Sequence, residues 1–127
     1  VVDTSGSMGQ SELDTALSEI RGVIGSAGIG PQGLLVLACD AQVGATTRVR
    51  RATDVRLVGG GGTDMRVGIA AAEASHPRPD VVVVLTDGYT PWPDRPTRAR
   101  LVAAIIGGQS AARAVPEWAS SVVVPAA

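Results

Sequence analysis

The chain contains no lysine, one cysteine and one histidine among its 127 residues. Without lysine, Schiff-base chemistry and a P-loop that binds phosphate through a lysine are both excluded. Cys39 has no partner for an internal disulfide, and we expect it to be buried as a small hydrophobic side chain. With Cys39 and His76 as its one cysteine and one histidine, the chain lacks the ligands for a zinc cluster of the finger type and has no spare residue from which to build a Cys-His or Ser-His catalytic pair.

Length, hydropathy and charge narrow the class of protein further. With 45% hydrophobic residues and a mean hydropathy of +0.23, the chain fits one soluble globular domain, residues 1–127. The net charge is -1 and the basic residues are scattered, which argues against nucleic acid or an anionic membrane as a partner. No apolar stretch has membrane-spanning length, and the single cysteine suits a reducing, cytoplasmic setting. Because the sequence opens on Val-Val-Asp without an initiator methionine, we expect a fragment truncated at its N-terminus.

Apolar runs of strand length alternate with helical patterns along the chain. The strong strand predictions, which are continuous apolar runs, are residues 1–2, 34–38, 81–85 and 101–106. The weaker strand predictions are residues 46–49, 55–58 and 122–124.

Apolar residues at helical spacing predict two longer helices. The first starts with a capping box formed by Ser11 and Asp14, runs for about four turns and ends in the glycine-rich segment 25–33. The second follows Asp64 and ends before Pro77, since the residue before a proline disfavours helix.

A short helix at residues 115–120 and a stiff, proline-rich loop at residues 89–96 complete the pattern. The alternation predicts an α/β fold, namely a three-layer, doubly wound, mostly parallel sheet of the Rossmann-like kind with helices on both faces. In such a sheet, the loops after the carboxyl ends of strands meet where the strand order reverses. If the strands that end at Val2 and Leu85 are neighbours there, the loops that follow them face one crevice.

Those two loops carry side chains with hard oxygen ligands. Asp3, Ser5 and Ser7 follow the first strand at alternating positions, and Asp87 follows the strand that ends in residue 85. A run of four glycines would bring Thr63 to the same rim. Hydroxyl and carboxylate oxygens suit Mg²⁺, Mn²⁺ or Ca²⁺ and match soft metals poorly. The pattern therefore predicts a magnesium-type site.

Two other interpretations use the same residues. Taken alone, Asp3, Ser5 and Ser7 are typical of a polar turn that needs no metal, and only their combination with Thr63 and Asp87 favours a metal site. The four glycines could cradle a phosphate, but no Gly-Lys-Ser/Thr follows them, and the strand-to-glycine spacing of a dinucleotide fold is missing.

These segments resemble the metal-ion-dependent adhesion site of the von Willebrand factor type A (VWA) family. The family pattern is Asp-x-Ser-x-Ser, a distant Thr and a later Asp-Gly. Nearly the whole chain follows it in order, as Asp3-Thr-Ser5-Gly-Ser7, Gly-Gly-Thr63-Asp64 and Asp87-Gly88. More narrowly, the Gly-Gly-Gly-Gly-Thr-Asp-Met and Thr-Asp-Gly-Tyr-Thr-Pro-Trp-Pro segments look like the bacterial VWA-like domains at the C-terminus of metallopeptidase-type proteins.

The resemblance implies that Ser5, Ser7 and Thr63 contact the metal directly. It also implies that Asp3 and Asp87 bind the metal directly or through water. Neutral hydroxyls leave a dication short of negative charge and of a ligand, so such a site should accept an Asp or Glu from a partner protein.

Asp64 and Trp92 each have two interpretations. Asp64 is either an outer hydrogen-bond acceptor that supports the site or a residue that starts the second helix. Trp92 lies between two prolines just after the Asp87 loop. It is either a rigid contact for a partner or a side chain that folds back over an exposed sheet edge.

The function expected from the resemblance is a metal-dependent protein-binding module in a bacterial assembly with a MoxR-type AAA+ ATPase. A metal-dependent hydrolase of phosphoesters or peptides is the alternative, and a metal that only fastens the loops is a third possibility. No histidine, lysine or glutamate is placed near these loops as a general base, so we expect no catalysis by this domain. Any metallopeptidase-like activity would belong to an upstream region.

Overall fold

A computed structural model describes residues 1–26 and 32–125. The described strands form one six-stranded sheet in the order β3-β2-β1-β4-β5-β6. The strands are β1 (Val2–Asp3), β2 (Leu34–Cys39), β3 (Val43–Val49), β4 (Val81–Thr86), β5 (Arg100–Ile106) and β6 (Ser120–Val124). The helices are α1 (Gln10–Ser26) and α2 (Met65–Glu73), with short 3₁₀ turns at Ala52–Asp54 and Gln109–Ala114.

The strand order reverses at β1, the first strand in the chain. β1 pairs in parallel with β2 on one side and with β4 on the other, so that Val2 lies opposite both Ala38 and Leu85. β4, β5 and β6 continue in parallel, while β3 is an antiparallel edge strand. The predicted neighbourhood of the strands that end at Val2 and Leu85 is therefore confirmed, and the crevice lies at the point of reversal.

Apolar side chains cover both faces of the sheet, as expected for strands buried between helices. On one face, Ala16 and Ile20 of α1 pack with buried sheet residues such as Val36. On the other face, Met65 and Ile69 of α2 pack with sheet residues that include the fully buried Cys39. The predicted three-layer α/β fold is confirmed, and we refer to these as the α1-side and α2-side cores.

Two predicted elements are wrong. Residues 55–58 form no strand, because Val55 and Leu57 turn inward onto the α1-side core while the carbonyl of Val58 accepts a hydrogen bond from the Thr4 hydroxyl at 2.9 Å. Residues 115–120 form no helix. The 3₁₀ turn lies earlier, at Gln109–Ala114, and a tight turn closed by Ala119 N and Pro116 O at 3.0 Å leads directly into β6.

The start of α1 also differs from the prediction. The helix begins at Gln10, and the carbonyl of Gly9 accepts a hydrogen bond from Leu13 N at 3.0 Å. Gly9, and not Ser11, is therefore the residue that opens the helix, and Asp14 instead accepts a hydrogen bond from the Gln10 side chain at 2.8 Å. The predicted glycine-rich helix end falls partly on residues 27–31, which lie outside the described residues.

Candidate metal centre

The carboxylate of Asp3 occupies the deepest position in the crevice. Asp3 ends β1 and has no exposed surface. Its Oδ1 accepts a hydrogen bond from the backbone amide of Ser5 at 2.9 Å, and its Oδ2 accepts one from the Thr86 hydroxyl at 2.6 Å. Both oxygens are thus held by neutral donors, which fixes the orientation of the carboxylate.

A chain of oxygens runs from Ser5 out to solvent. Ser5 is buried, and its Oγ lies 3.2 Å from the Oγ of Ser7. Ser7 is exposed and donates a hydrogen bond to Oδ2 of Asp87 at 2.7 Å, while Asp87 Oδ1 accepts from the amide of Tyr89 at 3.2 Å. The structure therefore brings Asp3, Ser5, Ser7 and Asp87 together in one crevice that opens at Ser7 and Asp87.

Thr63 directly follows the tetraglycine loop, residues 59–62. The amide of Gly6 donates to the carbonyl of Gly61 at 3.0 Å, which ties the loop to the segment that carries the two serines. The amide of Asp64 donates to the carbonyl of Asp40 at 2.9 Å. Thr63 lies between these two attachment points and is partly exposed. Among the described residues, no hydrogen bond joins the Thr63 side chain to Asp3, Ser5, Ser7 or Asp87.

Asp64 is the N-cap residue of α2. Its Oδ1 accepts a hydrogen bond from the backbone amide of Arg66 at 3.1 Å, and the Arg66 guanidinium binds both carboxylate oxygens at 2.9 Å. The hydrogen bonds from the Arg66 side chain lower the pKa of Asp64 below its ordinary value, and they outweigh the opposite effect of partial burial. In the structure Asp64 therefore starts the helix and directs its carboxylate to Arg66.

Trp92 packs inward beneath the proline-rich loop. It is partly buried against the α2-side core, and its Nε1 is buried without a hydrogen-bond partner among the described residues. The Thr90 hydroxyl accepts a hydrogen bond from the amide of Met65 at 2.8 Å, which ties the same loop to the start of α2. The loop next to Asp87 is therefore held by the packing of the Trp92 ring and by the hydrogen bond of Thr90.

Two residues that position the site were not identified from the sequence. Thr86 donates to Asp3, and Asp40 accepts a hydrogen bond from Gly61 N at 3.0 Å. A signal for both was present, since Asp40 directly follows β2 and Thr86 is the last residue of β4, at the same edge of the sheet as Asp3. A polar residue that ends an otherwise apolar central strand indicates the crevice.

The donor set fits a hard divalent cation. Among residues 1–26 and 32–125, no group of three or more His, Cys, Asp or Glu side chains is placed to hold a metal ion. The crevice instead combines the carboxylates of Asp3 and Asp87 with hydroxyls, the oxygen chemistry that Mg²⁺ and Ca²⁺ accept. No recorded ion pair or hydrogen bond of the described residues brings a cationic side chain to either carboxylate.

An apolar groove of about 400 Å³ opens elsewhere on the molecule. It is lined by residues of β2 and β4 that precede the crevice, such as Leu34 and Val81, and by Ile20 of α1. None of the predicted metal ligands lines this groove.

The fold and the crevice define an α/β domain whose oxygen-rich site lies where the strand order of a mostly parallel sheet reverses. A family described as VWA-like domain (DUF2201) matches residues 1–125, and the chain belongs to this family. VWA-like domains are generally non-catalytic interaction modules, so family membership suggests a protein-interaction module.

The chain is also similar to part of a longer protein. An uncharacterized protein of Thermotoga maritima is 36% identical over 95 residues, a match that covers 73% of this chain and 23% of the relative. The chain therefore spans less than a quarter of the length of that relative. No solved structure matches the chain. In the described part of the chain, no helix combines the length and apolarity needed to cross a membrane.

Proposed function

We propose that the chain is a protein-binding module that depends on a divalent cation. Asp3, Ser5, Ser7, Thr63 and Asp87 would hold Mg²⁺, or Mn²⁺ or Ca²⁺ in its place, and the bound cation would take an Asp or Glu carboxylate from a partner. The observation that carries this proposal is the fully buried carboxylate of Asp3, whose hydrogen-bond donors among residues 1–26 and 32–125 are a backbone amide and a hydroxyl and include no cationic side chain.

A buried carboxylate without a counter-charge is energetically unfavourable. Removing an ionised group from water costs several kcal/mol unless a cation or a full set of hydrogen bonds replaces the solvent. Asp3 has one recorded donor on each oxygen, although a carboxylate has about four acceptor positions. A dication beside Ser5 and Ser7 would supply the missing charge at the place where the hydroxyl chain begins.

The exposure of the outer residues favours a site that is completed from outside. Ser7 is exposed and Asp87 is partly exposed, so a ligand on another protein can approach from solvent. A cation with an octahedral preference has six coordination positions, and neutral hydroxyls in some of them add no negative charge. A carboxylate from a partner would fill a position and also add negative charge. What the bound cation supplies is a positive point that a partner's Asp or Glu can occupy.

The surroundings of the crevice do not favour catalysis. Among the described residues, the recorded hydrogen-bond partners of Asp3, Ser5, Ser7 and Asp87 include no histidine or glutamate. A general base would have to lie within hydrogen-bond reach of an attacking water. We therefore place the chemistry of this domain in binding.

The partner that we propose is a MoxR-type AAA+ ATPase, within a bacterial cytoplasmic assembly. This part of the proposal is supported by the resemblance of the glycine and proline segments to VWA-like domains of metallopeptidase-type proteins.

Two aspartates at opposite ends of β4 provide a matched test. Asp87 follows the strand at the crevice, whereas the exposed Asp80 precedes it at the far end. Titration of Mg²⁺ into the purified chain should reveal one site, which Asp87→Ala abolishes and Asp80→Ala leaves unchanged. At a Mg²⁺ concentration 100 times the Kd, the free energy of unfolding should rise by about 2.7 kcal/mol in the wild type and in Asp80→Ala only.

Partner capture is tested by pull-down with the purified ATPase. Binding should require Mg²⁺, disappear with EDTA and disappear in Asp87→Ala. Equal metal binding by Asp87→Ala and wild type would show that the metal site is assigned wrongly. Metal-dependent phosphoester hydrolysis that persists on repurification and is lost in Asp87→Ala would favour a hydrolase, and metal that raises the Tm without any partner binding would favour a structural role.

A further inference from the structure

Asp40 directly follows β2 at the same edge of the sheet as Asp3 and Asp87. Its carboxylate bridges two segments, because Oδ1 accepts a hydrogen bond from the amide of Gln42 at 2.9 Å and Oδ2 accepts one from the amide of Gly61 at 3.0 Å. Those two amides, in that order, are the main causes that lower the pKa of Asp40 below its ordinary value. The side chain is therefore a charged clamp on the tetraglycine loop.

The backbone of Asp40 provides a second attachment. Its carbonyl accepts a hydrogen bond from the amide of Asp64 at 2.9 Å, just before α2 begins. One residue thus fixes positions 61 and 64, and Thr63 lies between them. With both neighbours anchored to the same residue, the position of the Thr63 backbone is determined by Asp40.

Asp40 is also connected, through Gly61, to the loop that carries Ser5 and Ser7. Gly61 makes two of these hydrogen bonds. Its amide donates to the Asp40 carboxylate, and its carbonyl accepts a hydrogen bond from the amide of Gly6 at 3.0 Å. Gly6 is the residue between Ser5 and Ser7. The two segments that carry the proposed hydroxyl ligands are therefore joined through Gly61, and Asp40 is the only charged group in that connection among the described residues.

We propose that Asp40 is the positioning residue of the metal centre, holding the tetraglycine loop so that the Thr63 hydroxyl faces Ser5 and Ser7. This inference rests on the proposed metal-binding function. Glycine loses more conformational freedom on ordering than any other residue, so four in succession need an external attachment to hold one conformation. Asp40 is not one of the proposed metal ligands, and its role here is to hold the backbone amides of Gln42 and Gly61.

The first test compares Mg²⁺ affinity in four proteins by calorimetric titration. Asp40→Ala should weaken binding by about 10–100-fold, the usual effect of removing a group that orients a metal ligand. Asp40→Asn retains one carbonyl oxygen as an acceptor, so it should lose less. Asp54→Ala, which removes an exposed acidic side chain from a 3₁₀ turn outside the crevice, should bind as the wild type does.

The second test asks whether Asp40 acts through Thr63. In a Thr63→Val background the hydroxyl is already absent, so adding Asp40→Ala should change the Mg²⁺ affinity little, a strongly non-additive result. Equal and additive losses in both backgrounds, accompanied by a lower Tm, would reduce Asp40 to a structural residue and overturn the inference.

Gly61 allows the same contact to be broken from the other side, should Asp40→Ala fail to fold. A Cβ at position 61 would lie 2.8 Å from Oδ2 of Asp40 and would meet no other side chain. Gly61→Ala should therefore weaken Mg²⁺ binding and speed hydrogen exchange of the Asp64 amide. Unchanged affinity and exchange in Gly61→Ala would overturn the inference.

The outcomes separate the inference from the proposed function. If the wild type binds Mg²⁺, Asp87→Ala does not, and Asp40→Ala binds as tightly as the wild type, the metal site stands and the role of Asp40 is refuted. If the wild type binds no Mg²⁺, the proposed function and the role of Asp40 are both refuted.

Discussion

The hydroxyl of Thr86 donates a 2.6 Å hydrogen bond to Oδ2 of Asp3, across 83 positions of sequence, and neither residue has any exposed surface. The same hydroxyl oxygen accepts the amide of Gly88 at 3.0 Å. One buried side chain thus orients the central carboxylate of the crevice and shapes the turn that carries Asp87.

Thr86→Val should therefore affect both stability and metal binding. It keeps the shape of the side chain but leaves Asp3 Oδ2 and the Gly88 amide without their partner, and an unsatisfied buried group costs about 1–3 kcal/mol. The Mg²⁺ affinity should fall by about 10–100-fold, since the group that orients a proposed ligand is gone. Urea unfolding and calorimetric titration measure the two effects.

Thr86→Ser is the matched control for that substitution. It retains the hydroxyl and removes one methyl group, so metal affinity should stay close to that of the wild type while stability falls modestly. Equal losses of Mg²⁺ affinity in Thr86→Ser and Thr86→Val would show that packing, and not the hydrogen bond, orients Asp3.

The central strands could be predicted because their composition leaves little choice. β4 and β5 are continuous apolar runs, and such runs are stable only between two covering layers. The segment at residues 55–58 is interrupted by Arg56 and was a weaker strand prediction, and its Val55 and Leu57 side chains pack on the α1-side core without any strand partner. Local pattern fixes which side chains are buried, while strand pairing depends on contacts that the pattern does not contain.

The four glycines of the tetraglycine loop should differ in their response to alanine. A Cβ on Gly59 would overlap both the side chain and the carbonyl of Thr4, whereas a Cβ on Gly62 would meet only Ala41 Cβ at an ordinary 3.6 Å. Gly59→Ala should therefore destabilise the fold by about 1–3 kcal/mol through overpacking. Gly62→Ala should stay within about 0.5 kcal/mol of the wild type. Urea unfolding compares the two variants directly, and similar losses in both would contradict the close approach of the loop to Thr4.

This loop also shows where sequence reasoning about the site stopped. A glycine run indicates that another group approaches the backbone closely, but that group could be a phosphate, a metal-binding loop or a neighbouring backbone segment. The structure shows that the neighbour is the Thr4 backbone, since its carbonyl accepts a hydrogen bond from Gly60 N at 2.7 Å. The positions of Thr86 and Asp40 at the ends of apolar strands indicate the edge of the sheet, but their hydrogen bonds to distant segments, which give them their role, leave no periodic pattern in the sequence.

Two helical glycines give a second matched pair. A Cβ on Gly68 of α2 would lie 2.7 Å from Val1 Cγ1 and 3.1 Å from Cys39 Sγ, whereas a Cβ on Gly22 of α1 would meet no atom within 4 Å. Alanine favours a helix over glycine by about 1 kcal/mol, so Gly22→Ala should stabilise the chain by about 0.5–1 kcal/mol. Gly68→Ala should destabilise it, because the clash with Val1 and with Cys39 of β2 exceeds that gain. Thermal unfolding of both variants measures the difference, and stabilisation by Gly68→Ala would contradict the packing of α2 on the sheet.

The Asp64–Arg66 pair predicts a pH dependence that is separate from the metal. Because the Arg66 hydrogen bonds lower the pKa of Asp64 from 3.8, the pair stabilises the folded state above that ordinary value, and the contribution is lost as the pH falls through the lowered one. Asp64→Asn keeps a capping oxygen but removes the charge, and its cost at pH 7 should be below about 1 kcal/mol since the pair is at the surface. Asp64→Ala should cost about 1 kcal/mol more through loss of the cap. Urea unfolding from pH 7 down to pH 3 should show the wild type and Asp64→Asn converging in acid, and a difference that widens as the pH falls would reverse the assigned sign.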